Sequence, residues 1–174
     1  MEATRREFVY SFAALSLLPP AFLGLSRTSN PSEEASLTHR EKEILGHFCE
    51  QIIPKDGFPG AREAGVVDFL DRVLREAHPE WVKVYRSGLQ ATEESSQNLY
   101  SKPFTEIEFS QQTQLLERME AGKLPRTTWG ALPPEEFFAM IRSHTMQGYY
   151  SHPKWGGNRN KAAWEMIGYN DWWV

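Results

Sequence analysis

The side chains able to do chemistry in this chain are few and scattered. Five histidines (His39, His47, His78, His144 and His152) and one cysteine, Cys49, are spread over 174 residues. A carboxylate-bridged di-iron site needs a Glu-x-x-His pair on each of two helices. His47 and Glu50 stand in the reverse order, once, while Glu136 and His144 are eight residues apart. One thiol supplies no intramolecular disulfide, no CxxCH haem attachment and no multi-thiolate zinc or iron–sulfur site. No GxSxG, GxGxxG or GxxxxGK[ST] occurs, so the common signatures of nucleophilic hydrolases, dinucleotides and ATP are absent. Asp68 and Asp71 are spaced for one helix face, where paired carboxylates could do acid–base work. Arg72 and Arg75 alternate with them, which is the pattern of a salt-bridged, solvated face. The sequence therefore predicts no catalytic residue, no metal ligand and no cofactor-binding residue.

One segment does concentrate chemically distinctive side chains. Residues 149–174, YYSHPKWGGNRNKAAWEMIGYNDWWV, hold seven aromatics among glycines, asparagines, Arg159 and two lysines. Gly156-Gly157 permits a backbone course that other residues resist, leading toward a helix start with free N–H groups. Aromatic rings beside Arg match the composition of protein interfaces. His152, Lys154, Trp155, Asn158, Arg159 and Tyr169 are the expected partner-contact residues. Two other readings stay open: Trp155, Trp164 and Tyr169 fill the core, or the tryptophans form a sugar platform.

The elements that must position this segment are helical from end to end. Thr38 and Glu41 have capping-box spacing, and Ile44, Leu45, Phe48, Cys49, Ile52 and Ile53 share one face up to Pro54. Val66, Val67, Leu70, Val73 and Leu74 mark a second amphipathic helix ending near His78-Pro79. Trp81, Tyr85, Leu89, Thr92, Ser96 and Leu99 give a long third one, polar from Gln90 to Asn98 and so expected to project into solvent at its far end. Thr105 and Glu108 suggest the cap of a fourth, with Leu115, Leu116 and Met119, stopping at Gly122. Residues 122–132 read as a loop holding Trp129. Pro133 or Pro134 opens a fifth, with Glu135 and Glu136 in its first turn and Phe137, Phe138, Ile141, Thr145 and Gly148 as its buried stripe. Asn158 or Asn160 can cap a last short helix through Ile167. No stretch alternates with period two. The fold class expected is all-α, an irregular packing of five or six helices over residues 38–174. Length and composition agree: 40% hydrophobic and 24% charged residues are globular values. A net charge of −4 gives no electrostatic footprint for nucleic acid.

Residues 1–30 have the layout of an export signal. Arg5 and Arg6 precede an uncharged, mostly apolar run from Phe8 to Leu25. Thr4-Arg5-Arg6-Glu7-Phe8-Val9 resembles the twin-arginine export motif, whose pathway moves proteins already folded. The other reading is a retained anchor, since 18 residues is the lower limit for a span. No clean A-x-A cleavage site follows, and residues 31–37 read as a linker. A periplasmic location follows from an export signal, with membrane association through a complex or through an uncleaved signal.

Five segments carry a family resemblance: Gln51–Asp56 (QIIPKD), Pro59–Asp71 (PGAREAGVVDFLD), Tyr85–Leu89 (YRSGL), Gly148–Arg159 (GYYSHPKWGGNR) and Ala163–Tyr169 (AWEMIGY). In this order they resemble the gluconate 2-dehydrogenase subunit 3 family, the small subunit of membrane-associated flavin-dependent sugar and sugar-acid dehydrogenases. The resemblance covers about residues 38–170. It implies a chain with no cofactor of its own, a flavoprotein large subunit that carries FAD, and in many complexes a cytochrome c subunit. It further implies that the small subunit's twin-arginine signal, read by the twin-arginine translocase, exports the large subunit with it and supports its maturation. Three positions depart from the family pattern: Trp155 where Tyr is frequent, and Asn170-Asp171 where the motif usually continues Pro-Gly. The reading from another class is a stand-alone periplasmic carbohydrate-binding protein or small enzyme that uses the aromatic C-terminal segment.

Overall fold

A computed structural model of the chain describes residues 36–169. The expected signal with Arg5, Arg6 and Phe8, most of the expected linker, and the last five residues lie outside the described residues. Within them are seven α-helices and no strand: α1 His39–Ile52, α2 Val66–Glu76, α3 Val82–Tyr100, α4 Phe109–Glu120, α5 Arg126–Trp129, α6 Pro134–Tyr150 and α7 Ala162–Met166. Single 3-10 turns at Pro79–Trp81, Pro153–Trp155 and Arg159–Lys161 punctuate them. The all-α, irregular architecture is as expected. The helix beyond the expected six is α5, where a loop was anticipated.

Local signals set most boundaries. The Thr38 hydroxyl accepts from the Glu41 amide at 3.2 Å, and the Glu41 carboxylate accepts from the Thr38 amide at 2.7 Å. This reciprocal pair satisfies two of the free donors at the start of α1. After Pro54 the chain turns back under the Glu50 carboxylate, which accepts from the amides of Lys55 and Arg62, both at 3.0 Å. Pro133 caps α6, Pro134 opens it, and Glu135 and Glu136 occupy its first turn. Its expected stripe, Phe137, Phe138, Ile141, Thr145 and Gly148, is buried throughout.

The core gathers around Phe137. Its ring meets Phe48 edge-on at 6.0 Å and Tyr85 at 6.4 Å, and lies 5.8 Å from Trp129. Phe137 also presses on the α carbon of Gly88, where any Cβ would strike the ring. Each such side chain contributes roughly 1.5–3 kcal/mol through burial.

Three expectations need correction. The cap of α4 is Glu108, paired with Gln111, while the Thr105 hydroxyl accepts from Arg40. The far end of α3 does not project into solvent: Thr92, Ser95 and Ser96 are buried. Their hydroxyls are satisfied internally. Thr92 donates to the Gly88 carbonyl at 2.8 Å, Ser96 donates to the Lys102 carbonyl at 2.8 Å, and Ser95 accepts from the Trp129 indole at 3.1 Å. Polar residues that hide a small hydroxyl against backbone look like a solvated face in sequence. Finally, Leu37 is not linker. It is buried and its amide donates to Asp71 at 3.1 Å, while the Ser36 carbonyl accepts from Arg86 at 2.8 Å.

Candidate functional site

The segment 148–159 folds against the start of α2, so two of the resemblance-bearing stretches meet. The Arg159 amide donates to the Ala64 carbonyl at 2.9 Å, and its guanidinium donates to Asp68 at 2.6 Å. Gly65, at φ +78°, lets the Gly156 carbonyl approach so closely that a Cβ would lie 2.7 Å from it. Gly157 packs on the Gly148 carbonyl, which a Cβ there would strike. The Tyr149 hydroxyl donates to the Pro59 carbonyl at 2.7 Å, tying the same two stretches a third time. Asn158, Asn160 and Lys161 all have left-handed backbone, with φ of 46°, 57° and 58°. Such residues cost roughly 1–2 kcal/mol each, so the cross-links must hold the turn in place.

The Asn158 side chain is one of those holds. It donates to the Ser151 carbonyl at 3.0 Å and accepts from the Ala163 amide at 2.9 Å. Its side chain thus holds a first-turn amide of α7, but the N-cap position of that helix is Lys161 rather than the expected Asn158 or Asn160. Asn158 is fully buried, so it is not a partner-contact residue. The remaining expected residues lie at the surface. Trp155 is 49% exposed and Tyr169 48%. Tyr169 stacks edge-on against Trp164 at 5.0 Å, and Trp164 meets His152 at 5.3 Å. Trp164 itself is buried, and its indole donates to the Tyr150 carbonyl at 3.2 Å. The core reading therefore fits Trp164, not Trp155 or Tyr169.

Beside Trp155 runs a groove of about 430 Å³, lined by Phe69, Arg72, Val73, Glu76, Ala77, Ser151, His152 and Trp155. The α2 members recur at three- and four-residue steps, one stripe of the helix. Arg72 holds the rim: it donates to Glu76 at 2.9 Å and to the Lys154 carbonyl at 3.2 Å. The Arg72 guanidinium lies 5.7 Å from the Trp155 ring centre and the Lys154 ammonium 5.1 Å, so two cations fix the indole. Phe69, Arg72, Val73 and Ala77 are not among the contact residues expected from the sequence, where Val73 marks only the apolar face of an amphipathic helix. Phe69, Val73 and Ala77 repeat every four residues along the edge of the same apolar stripe as Leu70 and Leu74, half-buried or exposed where those two are buried.

Asp71 also departs from the solvated-face expectation. It is buried, accepting from the Leu37 amide at 3.1 Å and the Lys42 ammonium at 2.8 Å. The histidines have local partners. His47 is hydrogen-bonded to Gln112 at 3.1 Å and Arg62 at 3.3 Å. His144 is bonded to the Tyr85 hydroxyl at 2.7 Å and stacks on Trp81 at 5.1 Å, and Trp81 also stacks on His78 at 3.8 Å. Burial pushes both His47 and His144 below the usual imidazole range, helped by the charge of Arg62 for the first and of His78 for the second. Burial likewise pushes the Cys49 thiol up to about 12, which leaves it protonated and unreactive. Among the described residues no three His, Cys, Asp or Glu side chains are grouped so as to hold a metal ion.

Comparison with known proteins bears on this arrangement directly. Neither the curated proteins nor the solved structures give a match. The family model described as gluconate 2-dehydrogenase subunit 3 matches residues 39–171, which takes in every helix, the groove and the 148–159 turn. The chain belongs to the gluconate 2-dehydrogenase subunit 3 family.

Proposed function

We propose that this chain is a non-catalytic accessory subunit of a periplasmic FAD-dependent dehydrogenase acting on a sugar, polyol or sugar acid. In this reading it supports the export, maturation and stability of the flavoprotein subunit. The flavin and the oxidation chemistry belong to that partner, a cytochrome c subunit joins where electrons pass to a respiratory chain, and the twin-arginine translocase reads Arg5, Arg6 and Phe8. The observation that carries the proposal is the half-exposed Trp155, fixed by two cations beside an apolar groove. It lies within the span that matches a family named as a dehydrogenase subunit. A subunit without chemistry acts through its surface, and a large aromatic held rigid at the surface is what an interface anchor requires. His152 lines the same groove and Lys154 lies over the indole, and in this reading Arg159 and Tyr169 extend the contact.

The test is co-purification of a tagged copy from a strain that also makes the flavoprotein, followed by a flavin absorbance scan. A flavin-bearing large subunit is expected in the eluate, and Trp155→Ala should weaken its retention by about thirtyfold, the equivalent of roughly 2 kcal/mol. The chain expressed alone is expected to be colourless. An eluate without any flavoprotein overturns the proposal.

A further inference from the structure

The groove beside Trp155 has a chemistry that selects its occupant. We propose that it receives an acidic, apolar peptide segment of the flavoprotein subunit: one or two aliphatic or aromatic side chains on the floor, with a neighbouring carboxylate at Lys154. This rests on the accessory-subunit reading and adds the chemistry of the contact.

Shape and charge both support it. The floor is Phe69, Val73, Ala77 and the Trp155 indole, none of which offers a side-chain hydrogen bond except the indole N–H. A floor of this kind favours hydrocarbon over a polyhydroxylated sugar, whose hydroxyls would go unpaired. The rim is cationic after internal pairing. Glu76, the groove's one carboxylate, is shared by Arg72 at 2.9 Å and Arg75 at 3.4 Å, which holds it below the usual carboxylate range. Lys154 has the Trp155 ring as its contact and makes no ion pair among the described residues. The whole chain carries −4, so a surplus cation beside the most exposed tryptophan of the described residues runs against the average charge of the molecule. An incoming carboxylate meets attraction here, and an incoming ammonium meets repulsion.

Ala77 reads the sign of the occupant. It lines the groove, is exposed and lies just past the end of α2, so a longer side chain there leaves the core untouched. The experiment measures retention of the flavoprotein by full-length Ala77→Glu, Ala77→Gln and Ala77→Lys at about 50 mM and 500 mM salt, with each variant's melting temperature as control. An acidic occupant predicts that Ala77→Glu weakens retention about tenfold relative to Ala77→Gln at low salt, and that Ala77→Lys retains at least as well as Ala77→Gln. High salt should close most of that gap. Equal weakening by all three means an uncharged occupant and overturns the acidic assignment. The opposite order, with Ala77→Lys the weakest, means a basic one and overturns it as well. No effect from any of them takes the groove out of the interface, while retention by the unaltered chain leaves the accessory-subunit reading standing. Gluconate is the small-molecule probe: if it binds the isolated chain and Trp155→Ala abolishes that binding, the groove is a sugar-acid site and the peptide proposal fails.

Discussion

Asn158 and Trp155 stand three residues apart in one turn, and the fold gives them opposite tasks. Asn158 is interior and bonded at both ends of its amide, while Trp155 is half in solvent. Asn158→Ala leaves a carbonyl and an amide unpartnered and puts Ala in a left-handed backbone, so a stability loss of about 2–4 kcal/mol is expected. Chemical denaturation measures it, and a loss under ~1 kcal/mol would show that the side chain is dispensable. Trp155→Ala should spare stability and cost association. The two half-buried histidines give a pH signature. Their folded-state pKa lies below the unfolded value of about 6.5, so the unfolded chain binds protons that the native one refuses. Their contribution is fully present above about pH 6.5 and is lost as pH falls toward the folded pKa. Urea midpoints should therefore drop between pH 7.5 and 5, and His144→Gln should make that slope shallower. A slope unchanged in the variant would mean that other groups set it.

Helices α1 and α6 were legible because their signals are local: a Thr-x-x-Glu box, a Pro pair with two glutamates, and apolar residues at helical steps. What escaped sequence reading depends on tertiary partners. The buried hydroxyls of α3 need the Trp129 indole and the Lys102 carbonyl, and no periodicity announces either. On α2 a single apolar stripe is buried along Leu70 and Leu74 and lines the groove along Phe69 and Val73, and hydropathy alone does not show where burial ends. The glycines of the 148–159 stretch suggested an unusual backbone without revealing that two of them touch. The contact of α6 with the turn after it depends on Gly157 lying against the Gly148 carbonyl. Gly157→Ala must push backbone apart, and a loss of about 1–3 kcal/mol is expected, the cost of overpacking. Thermal melting checks it, with Gly57→Ala as a comparison, since a Cβ at Gly57 would meet nothing within 4 Å. Equal melting temperatures for Gly157→Ala and the unaltered chain would rule out the tight packing.

For the molecule as a whole, the family assignment and the proposed export route make a linked prediction. Arg5→Lys together with Arg6→Lys keeps the charge but removes the guanidinium pair. Mature protein and the dehydrogenase activity of its partner should then disappear from the periplasm and collect in the cytoplasm. Unchanged periplasmic activity would count against both the pathway and joint export. The clasp of Leu37 on Asp71 has a practical consequence for such work. Leu37 is buried and its amide is held by Asp71, so a chain shortened past it would lose that bond and open the core. At the other end Tyr169 rests on Trp164, which touches His152 at the groove's edge. A purification handle placed directly behind Tyr169 would thus crowd the very surface under study. The bend at Gly130, with nothing within 4 Å of where a Cβ would stand and remote in sequence from that face, is the better place to insert one.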